Sequence, residues 1–321
     1  MKYNKKGEMF LNWVLILIVG AVIIVFAVFF LQRITNVEEQ KQDVLTQEYV
    51  DLLFNPFTTI GAVAEGYGKE FDFKSEVQID FKCVNGEERI YSGKASGRKI
   101  ENLVYSSDLQ TKKLLVFTKP FELPFRIGDL IFAFDAEQEY CLISDSSSDF
   151  VVDAIFEDVE ENLKNVKIER CDYNDAFCCN RLNNYKTISF VKGLVEDVNF
   201  YGQGLVSDTF AYGEIYFNGG TEEETGISEF IGLPLIEAAI FSDKEIYDCN
   251  FERLMNKVSL VADIYEKKAG YLQTDECQYS TIISYLDEMQ RAANEKDMEN
   301  LYAAAVKLEQ ANKGLACTQV Y

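Results

Sequence analysis

The sequence EYCLISDSSSDFVVDAIFEDVEENLKNVKIER occupies residues 139–170, and its hydrophobic period changes twice. EYCLIS is strand-like, DFVVDAIFEDVEENLKN places apolar residues at helical spacing, and VKIER is strand-like again. A strand, a helix and a second strand in this order form a β-α-β unit. The stretch therefore predicts a mixed α/β domain around it.

The loop inside this unit, residues 144–149, follows the carboxyl end of a strand, where α/β folds often bind ligands. It lacks the glycines of a phosphate-binding loop, and its aspartates would repel an anion. We expect a capped, solvated loop, with a ligand site as the alternative.

The segment from about 57 to 150 is mostly of β type. Residues 76–83 alternate between apolar and polar, and Asn85-Gly86 then favours a tight hairpin turn. The aromatic stretch KPFELPFRIGDLIFAF, residues 119–134, suits either a packed core or a ligand groove, and core packing is our expectation.

The residues after 240 are helical in pattern. Three apolar stripes at helical spacing run through residues 251–272, 279–293 and 301–315. Because the links between them are short, we expect three antiparallel helices. Gly270 and Gly314 lie near two of the expected helix ends, where left-handed caps are common.

The cysteine content indicates the cellular compartment of the protein. An even number of cysteines in an exported domain indicates disulfides. Zinc is the alternative, but the chain has no CxxC pair and no histidine, so we expect no metal and no cofactor. The eight disulfide candidates are Cys83, Cys141, Cys171, Cys178, Cys179, Cys249, Cys277 and Cys317.

The predicted helices constrain the cysteine pairing. Cys277 starts the second helix and Cys317 follows the third, so the two ends of this hairpin should meet in a disulfide. Cys249 lies a helix length away, and we expect it to bond within the cluster of residues 171, 178 and 179. Cys83 and Cys141, both on predicted strands, are then the remaining pair.

The N-terminus predicts a membrane anchor. Residues 9–31 carry no charge, and as a helix they would extend about 35 Å, enough to cross a bilayer. This run is longer than the apolar region of a cleaved secretory signal. Lys2, Lys5 and Lys6 precede it, so we expect the N-terminus in the cytoplasm and the remainder outside the cell.

Helical spacing continues beyond the span, until Asn55-Pro56 ends the pattern. We therefore expect one long helix, apolar in its first half and amphipathic in its second, which we call the stem. The apolar stripe of the stem comprises Ile34, Val37, Val44, Leu45, Tyr49 and Leu52.

The net charge of the chain indicates which classes of partner it can bind. Residues 1–32 carry a net charge of +2 and the rest carries −24, for a total of −22. A body this acidic repels nucleic acid and anionic lipid, so we expect no nucleic-acid partner. The simplest explanation of the negative charge is that it keeps a surface domain soluble. The alternative is calcium binding by residues 145–153 or 172–175.

The sequence Lys5-Lys6-Gly7-Glu8, followed by an apolar and then an amphipathic helix, resembles the N-terminus of archaeal pilin-like proteins with class III signal peptides. The resemblance covers about 50 residues and implies a processing site between Gly7 and Glu8. The acidic residue that this family carries in the mature helix falls on Asn12, so filament assembly stays open. AAIFSDKEIYDCNFERLM, residues 238–255, is similar to uncharacterised archaeal single-pass surface proteins.

Together these patterns predict an α+β fold in five parts: a cytoplasmic N-terminus (1–9), a transmembrane helix (10–32) that contacts the lipid bilayer, a stem (33–55), a mixed α/β ectodomain (56–240) and an antiparallel three-helix region (241–321). The absence of histidine removes the commonest general base, and no catalytic residue stands out. We expect a membrane-anchored structural or adhesive surface protein that assembles with itself or a protein partner. An accessory or sensor domain is the alternative, and a carboxylate-based enzyme is the least favoured class.

Overall fold

The computed structural model describes residues 69–92, 97–162, 166–174, 179, 185–191, 196–206, 209–217 and 227–321. The predicted cytoplasmic segment, membrane span and stem, including Gly7, Glu8 and Asn12, lie outside these residues, as does Cys178. Among the described residues, no helix combines the length and apolarity that a membrane crossing requires. The fold is a mixed α+β structure, as the sequence predicts, and the structure shows that it contains two mixed sheets.

The first sheet begins with the predicted hairpin. Strands β1 (Lys69–Val84) and β2 (Glu87–Ser92) pair antiparallel around Asn85 and Gly86, whose φ angles are 56° and 74°. Positive φ at both central residues gives the turn a twist that matches the strands, which explains why Asn-Gly occurs here. The further strands are β3 (Arg98–Lys99), β4 (Leu103–Tyr105), β5 (Leu109–Glu122) and β6 (Arg126–Asp135).

This sheet curls into a barrel. Its strand order is β3-β2-β1-β5-β6-β4, and only residues 100–102 separate β3 from β4, so one stretch of chain joins both edges. Counted with β3 and β4 as one strand, the barrel has five strands in a Greek-key arrangement, as OB-folds do. Its interior is apolar, and the residues that fill it include Phe71, Ile79, Phe81, Ile90, Val104, Leu114, Val116 and Ile131.

The second sheet contains the predicted β-α-β unit. Strand β7 (Glu139–Ser144) leads into helix α1 (Asp149–Asn162) and returns as β8 (Lys167–Asp172), which pairs with β7 in parallel. The order is β12-β11-β10-β9-β7-β8, with β9 (Tyr185–Ser189) parallel to both β7 and β10. The remaining strands are β10 (Val198–Val206), β11 (Thr209–Phe217) and β12 (Ser228–Ile231).

Four more helices follow: α2 (Leu233–Phe241), α3 (Lys244–Leu272), α4 (Ser280–Glu295) and α5 (Met298–Lys313). α4 packs against both α3 and α5, and α5 packs on β11 and β12, so the helices form a layer that extends onto the second sheet. Asp243 and Asp297 cap α3 and α5 by accepting from backbone N–H groups of the first turn.

The helix ends differ from the prediction in one respect. Gly270 lies inside α3, which continues to Leu272, and Gly314 at the end of α5 has a φ of −81°. The left-handed cap occurs instead at Lys296, after α4. The tertiary packing of α3 extends its helix past the glycine, which is a weak helix breaker when its neighbours pack well.

One apolar cluster connects the two sheets and the helices. It crosses residue 240, where the sequence analysis divides the ectodomain from the helical region. The aromatic stretch of residues 119–134 contributes to this cluster, which confirms the core interpretation over the groove. Its buried members are Phe121, Leu123, Phe125, Ile127, Leu130, Phe132 and Phe134.

Candidate functional site

The disulfide framework agrees with the sequence prediction at one point. Cys277, three residues before α4, is bonded to Cys317 in the C-terminal tail, with Cα atoms 6.1 Å apart. The short link between α4 and α5 brings these ends together, as the predicted helix hairpin requires.

The other two predicted pairings are wrong. Cys83 is bonded to Cys249, and Cys141 is bonded to Cys179, each with Cα atoms 6.0 Å apart. Cys83 lies on β1 of the first sheet and Cys141 on β7 of the second, and each is bonded to another partner. Cys249 lies in the first turns of α3, and this end of α3 closes the barrel with Ile246 rather than approaching the cysteines of the second sheet.

A cluster of sulfur atoms lies on the second sheet. The Sγ atoms of Cys141, Cys171 and Cys179 lie within 4.8 Å of one another, and all three side chains are buried. This geometry is compatible with a metal site, but Cys171 is disulfide-bonded like the other two. Metal ions bind cysteine as the negatively charged thiolate, whereas a disulfide sulfur atom is neutral. The three cysteines therefore act as covalent cross-links.

The loop after β7 satisfies its own hydrogen bonds. Asp145 Oδ1 accepts from the backbone N–H groups of Ser147 and Ser148 and from both of their hydroxyls, at 2.6 to 3.1 Å. Ser144 donates its hydroxyl to Asp149, and Asp149 also pairs with Arg170 at 2.8 Å. These contacts hold the pKa values of Asp145 and Asp149 below the usual range. The carboxylates are therefore used within the loop, as the capped-loop prediction expects.

A buried ionic cluster joins the barrel to the second sheet. Glu237 lies in the middle of α2 and is fully buried. Lys119 on β5 donates to both Glu237 oxygens at 2.8 and 2.7 Å and lies 3.0 Å from Asp158 on α1. Burial raises the pKa of Glu237 to about 8 in spite of the nearby ammonium. The cluster connects three elements that are distant in sequence.

A second buried cluster joins the barrel to α3. Glu88 Oε2 accepts from Asn250 Nδ2 at 3.0 Å, from Arg253 Nη1 at 3.1 Å and from the backbone N–H of Val104 at 3.4 Å. Burial raises the pKa of Glu88 to about 8. Glu88 Oε1 and the Tyr105 hydroxyl are buried without a hydrogen-bond partner among the described residues. Desolvation therefore outweighs the three hydrogen bonds that favour the charged carboxylate.

Neither cluster was predicted from the sequence. One signal for the first was available, because Glu237 is the single charge in the apolar run LPLIEAAIF. Glu88 gave no comparable signal, since it sits among other charged residues and its burial depends on the closure of the barrel. Partners such as Asn250 and Arg253, more than 160 residues away, are visible only in the fold.

An open groove of about 290 Å³ runs between α4 and α5. Its polar residues include Glu288 and Glu295, which are seven positions apart on α4 and so have Cα atoms about 10 Å apart along the helix axis. Glu288 lies 3.8 Å from Lys307 on α5. The groove is a charged helix interface open to solvent.

Comparisons with known proteins provide no relative: no family model, no curated protein and no solved structure matches this chain.

Proposed function

We propose that this chain is a membrane-anchored protein with a structural or adhesive function at the cell surface, and that it is a pilin-like subunit. The observation that carries the proposal is the disulfide framework, because no cysteine among the described residues is free. Structural disulfides persist outside the cytoplasm and are rare within it. The sequence supplies the anchor, through the uncharged residues 9–31.

The positions of the cross-links support a domain of fixed shape. Cys83–Cys249 joins the barrel to α3, and Cys277–Cys317 joins the start of α4 to the C-terminal tail. The two buried ionic clusters add connections between the barrel, α1, α2 and α3. A head domain that is cross-linked in this way suits a protein that holds its shape outside the cell.

Alkaline washing of membranes tests the anchor. We expect the wild-type chain to stay in the membrane pellet, because a spanning helix resists extraction. A variant with Leu17→Lys and Ile24→Lys should be released, since each lysine at the bilayer centre costs about 3 kcal/mol. The matched control, Leu17→Met with Ile24→Met, should stay in the pellet. Release of the wild-type chain would contradict the anchor.

The mass of the N-terminal peptide from native membranes tests the pilin-like part of the proposal. A chain that begins at Glu8 indicates processing after Gly7 by a prepilin-type peptidase. An intact Met1 would contradict the pilin-like subunit and leave a plain membrane anchor, so the two parts of the proposal fail separately.

A further inference from the structure

An amine and two carboxyl groups are in contact where β5, α1 and α2 meet. Lys119 Nζ lies 2.8 and 2.7 Å from the two side-chain oxygens of Glu237, and 3.0 Å from Asp158 Oδ2. A primary amine is a nucleophile, and a carboxyl carbon can accept one. The fold therefore holds the reactants of an amide bond side by side. We call these three residues the Lys119 cluster.

The Lys119 cluster is largely shielded from water. The side chains of Lys119, Asp158 and Glu237 are 16%, 24% and 0% exposed. Residues 235–241 of α2, on both sides of Glu237, are all buried. Exclusion of water strengthens the electrostatic interactions between the three groups and limits hydrolysis of any product. Reacting groups that a fold holds in contact also gain an effective concentration far above that of free groups in solution.

The protonation of Glu237 suits it to carry a proton. Burial raises its pKa to about 8, and the charge of Asp158 and a hydrogen bond with it also act to raise the pKa, while Lys119 acts to lower it. Glu237 is therefore mostly a neutral acid at pH 7, with a proton that it can give and take back. The charges that remain in the Lys119 cluster are one ammonium and one carboxylate.

Two observations favour Asp158 over Glu237 as the carboxyl group that is attacked. Lys119 donates to both oxygens of Glu237, which places Nζ near the plane of that carboxyl group. A nucleophile must approach a carboxyl carbon from above this plane, so the Glu237 carbon is poorly oriented for attack. Glu237 also holds the mobile proton, which assigns it to proton transfer and leaves Asp158 as the acceptor.

We propose that Lys119 and Asp158 condense into an amide bond within this chain, with Glu237 as the proton carrier. The Lys119 ammonium first passes a proton to Asp158, and the neutral Nζ then attacks Cγ of Asp158. A nitrogen–carbon bond forms and a carbon–oxygen bond of Asp158 breaks. Glu237 gives its proton to the departing oxygen, which leaves as water, and takes one proton from Nζ in return. The reaction needs no other reagent.

The amide bond would remove two largely buried charges and add a cross-link. An ammonium and a carboxylate are costly to hold away from water, and the amide that replaces them is neutral. The bond would join β5 of the barrel to α1, which packs on the second sheet. Unlike the disulfides, it would persist under reducing conditions. The inference concerns chemistry within one chain and does not depend on the proposed function.

Peptide mass mapping of the full-length protein tests the bond. The protein is unfolded, reduced, alkylated and digested with an endoproteinase that cuts after lysine. Residues 114–164 contain lysine only at positions 119 and 164. If Lys119 is bonded to Asp158, this stretch should remain one peptide, about 18 Da lighter than the linear peptide because water has left. Fragments 114–119 and 120–164, an uncut peptide of full mass, or a link to the Glu237 peptide (193–244) would overturn the proposal.

Four variants separate the chemistry from a loss of folding. Lys119→Arg should show no mass deficit, whereas Lys112→Arg, at an exposed position of the same strand, should keep it. Glu237→Gln, checked by circular dichroism to be folded, should lower the bonded fraction at least tenfold.

Asp158→Asn should lose about 17 Da, because ammonia then leaves instead of water, and an unfolded chain would show no such loss. A deficit that persists in Lys119→Arg, an undiminished bonded fraction in Glu237→Gln, or full mass in Asp158→Asn would overturn the proposal. These masses do not depend on where the protein resides in the cell, so this inference and the proposed function fail separately.

Discussion

Cys83 on β1 is bonded to Cys249 on α3 across 166 residues of sequence, so a single covalent link closes the barrel against the helix that blocks its end. The same helix turn supplies Ile246 to the barrel interior and Asn250 to Glu88. The start of α3 is therefore the position where covalent, apolar and polar contacts between barrel and helix coincide.

The two long-range disulfides should differ in their effect on stability. In the chain-entropy model, the loop closed by Cys83–Cys249 contributes about 5 kcal/mol, and the 40-residue loop closed by Cys277–Cys317 contributes about 4 kcal/mol. We expect Cys83→Ser with Cys249→Ser to lower the free energy of unfolding more than Cys277→Ser with Cys317→Ser. Urea titration of both variants checks the order. The reverse order would show that the barrel retains its closure without the bond.

Stability should fall as the pH rises from 5 to 8. Glu88 and Glu237 have pKa values near 8 in the fold and near 4.5 when unfolded, so the folded state binds more protons between these values. Their contribution is complete below pH 4.5 and is lost as the pH rises through 8. Burial lowers the pKa of Lys186 to about 8. This lysine changes the free energy of unfolding only above pH 8, so it does not offset the loss of stability between pH 5 and pH 8.

Thermal melting at pH 5 and pH 8 measures this dependence. Glu237→Gln removes one of the two titrating groups and should reduce the difference in melting temperature. Glu276→Gln, at an exposed position, makes the same charge change and should leave the difference as it is in the wild type. An unchanged difference in Glu237→Gln would contradict the assignment of the proton to this site.

Removing one partner of the buried pair between barrel and α3 should be costly. Above pH 8, where the Glu88 carboxyl is charged, Arg253→Met leaves it without its cation, and loss of one partner in a buried ion pair costs about 3 to 5 kcal/mol. Adding Glu88→Gln should recover part of this loss in a double-mutant cycle. Arg291→Met, which breaks an exposed pair with Asp287, should cost less than about 1 kcal/mol. Equal effects at the two arginines would refute a buried role for Arg253.

Two glycines should respond to alanine with opposite signs. A Cβ atom at Gly213 on β11 would lie 2.3 Å from the backbone oxygen of Tyr201, so Gly213→Ala should destabilise the second sheet. A Cβ atom at Gly270 in α3 meets nothing within 4 Å, so Gly270→Ala should stabilise the helix by about 0.5 to 1 kcal/mol. Denaturation midpoints of the two variants check the signs. Stabilisation by Gly213→Ala would contradict the close strand contact.

Local sequence patterns predicted the local elements. Asn85-Gly86 predicted the first hairpin, the period change at 139–170 predicted the β-α-β unit, and apolar stripes predicted α3, α4 and α5. The Cys277–Cys317 bond followed from the same information, because it depends only on two neighbouring helices and a short link. Each of these features depends on residues that lie close together in the sequence.

The features that the sequence did not predict depend on distant contacts. The closure of the barrel brings β2 to β4 and α3, and it decides both the partner of Cys83 and the burial of Glu88. No periodicity records which sheet a strand joins, so Cys83–Cys141 was as reasonable a pair as Cys83–Cys249. Likewise, Glu237 is buried because α2 packs between the two sheets.

Protease treatment of intact cells tests the central claim, that the domain lies outside the membrane, most directly. Trypsin added to intact cells should cleave this protein, at exposed sites such as Lys313 or Lys112, to the same extent as in opened cells. A cytoplasmic protein treated in parallel should stay whole until the cells are opened. Full protection of this chain in intact cells, followed by cleavage after lysis, would contradict the account.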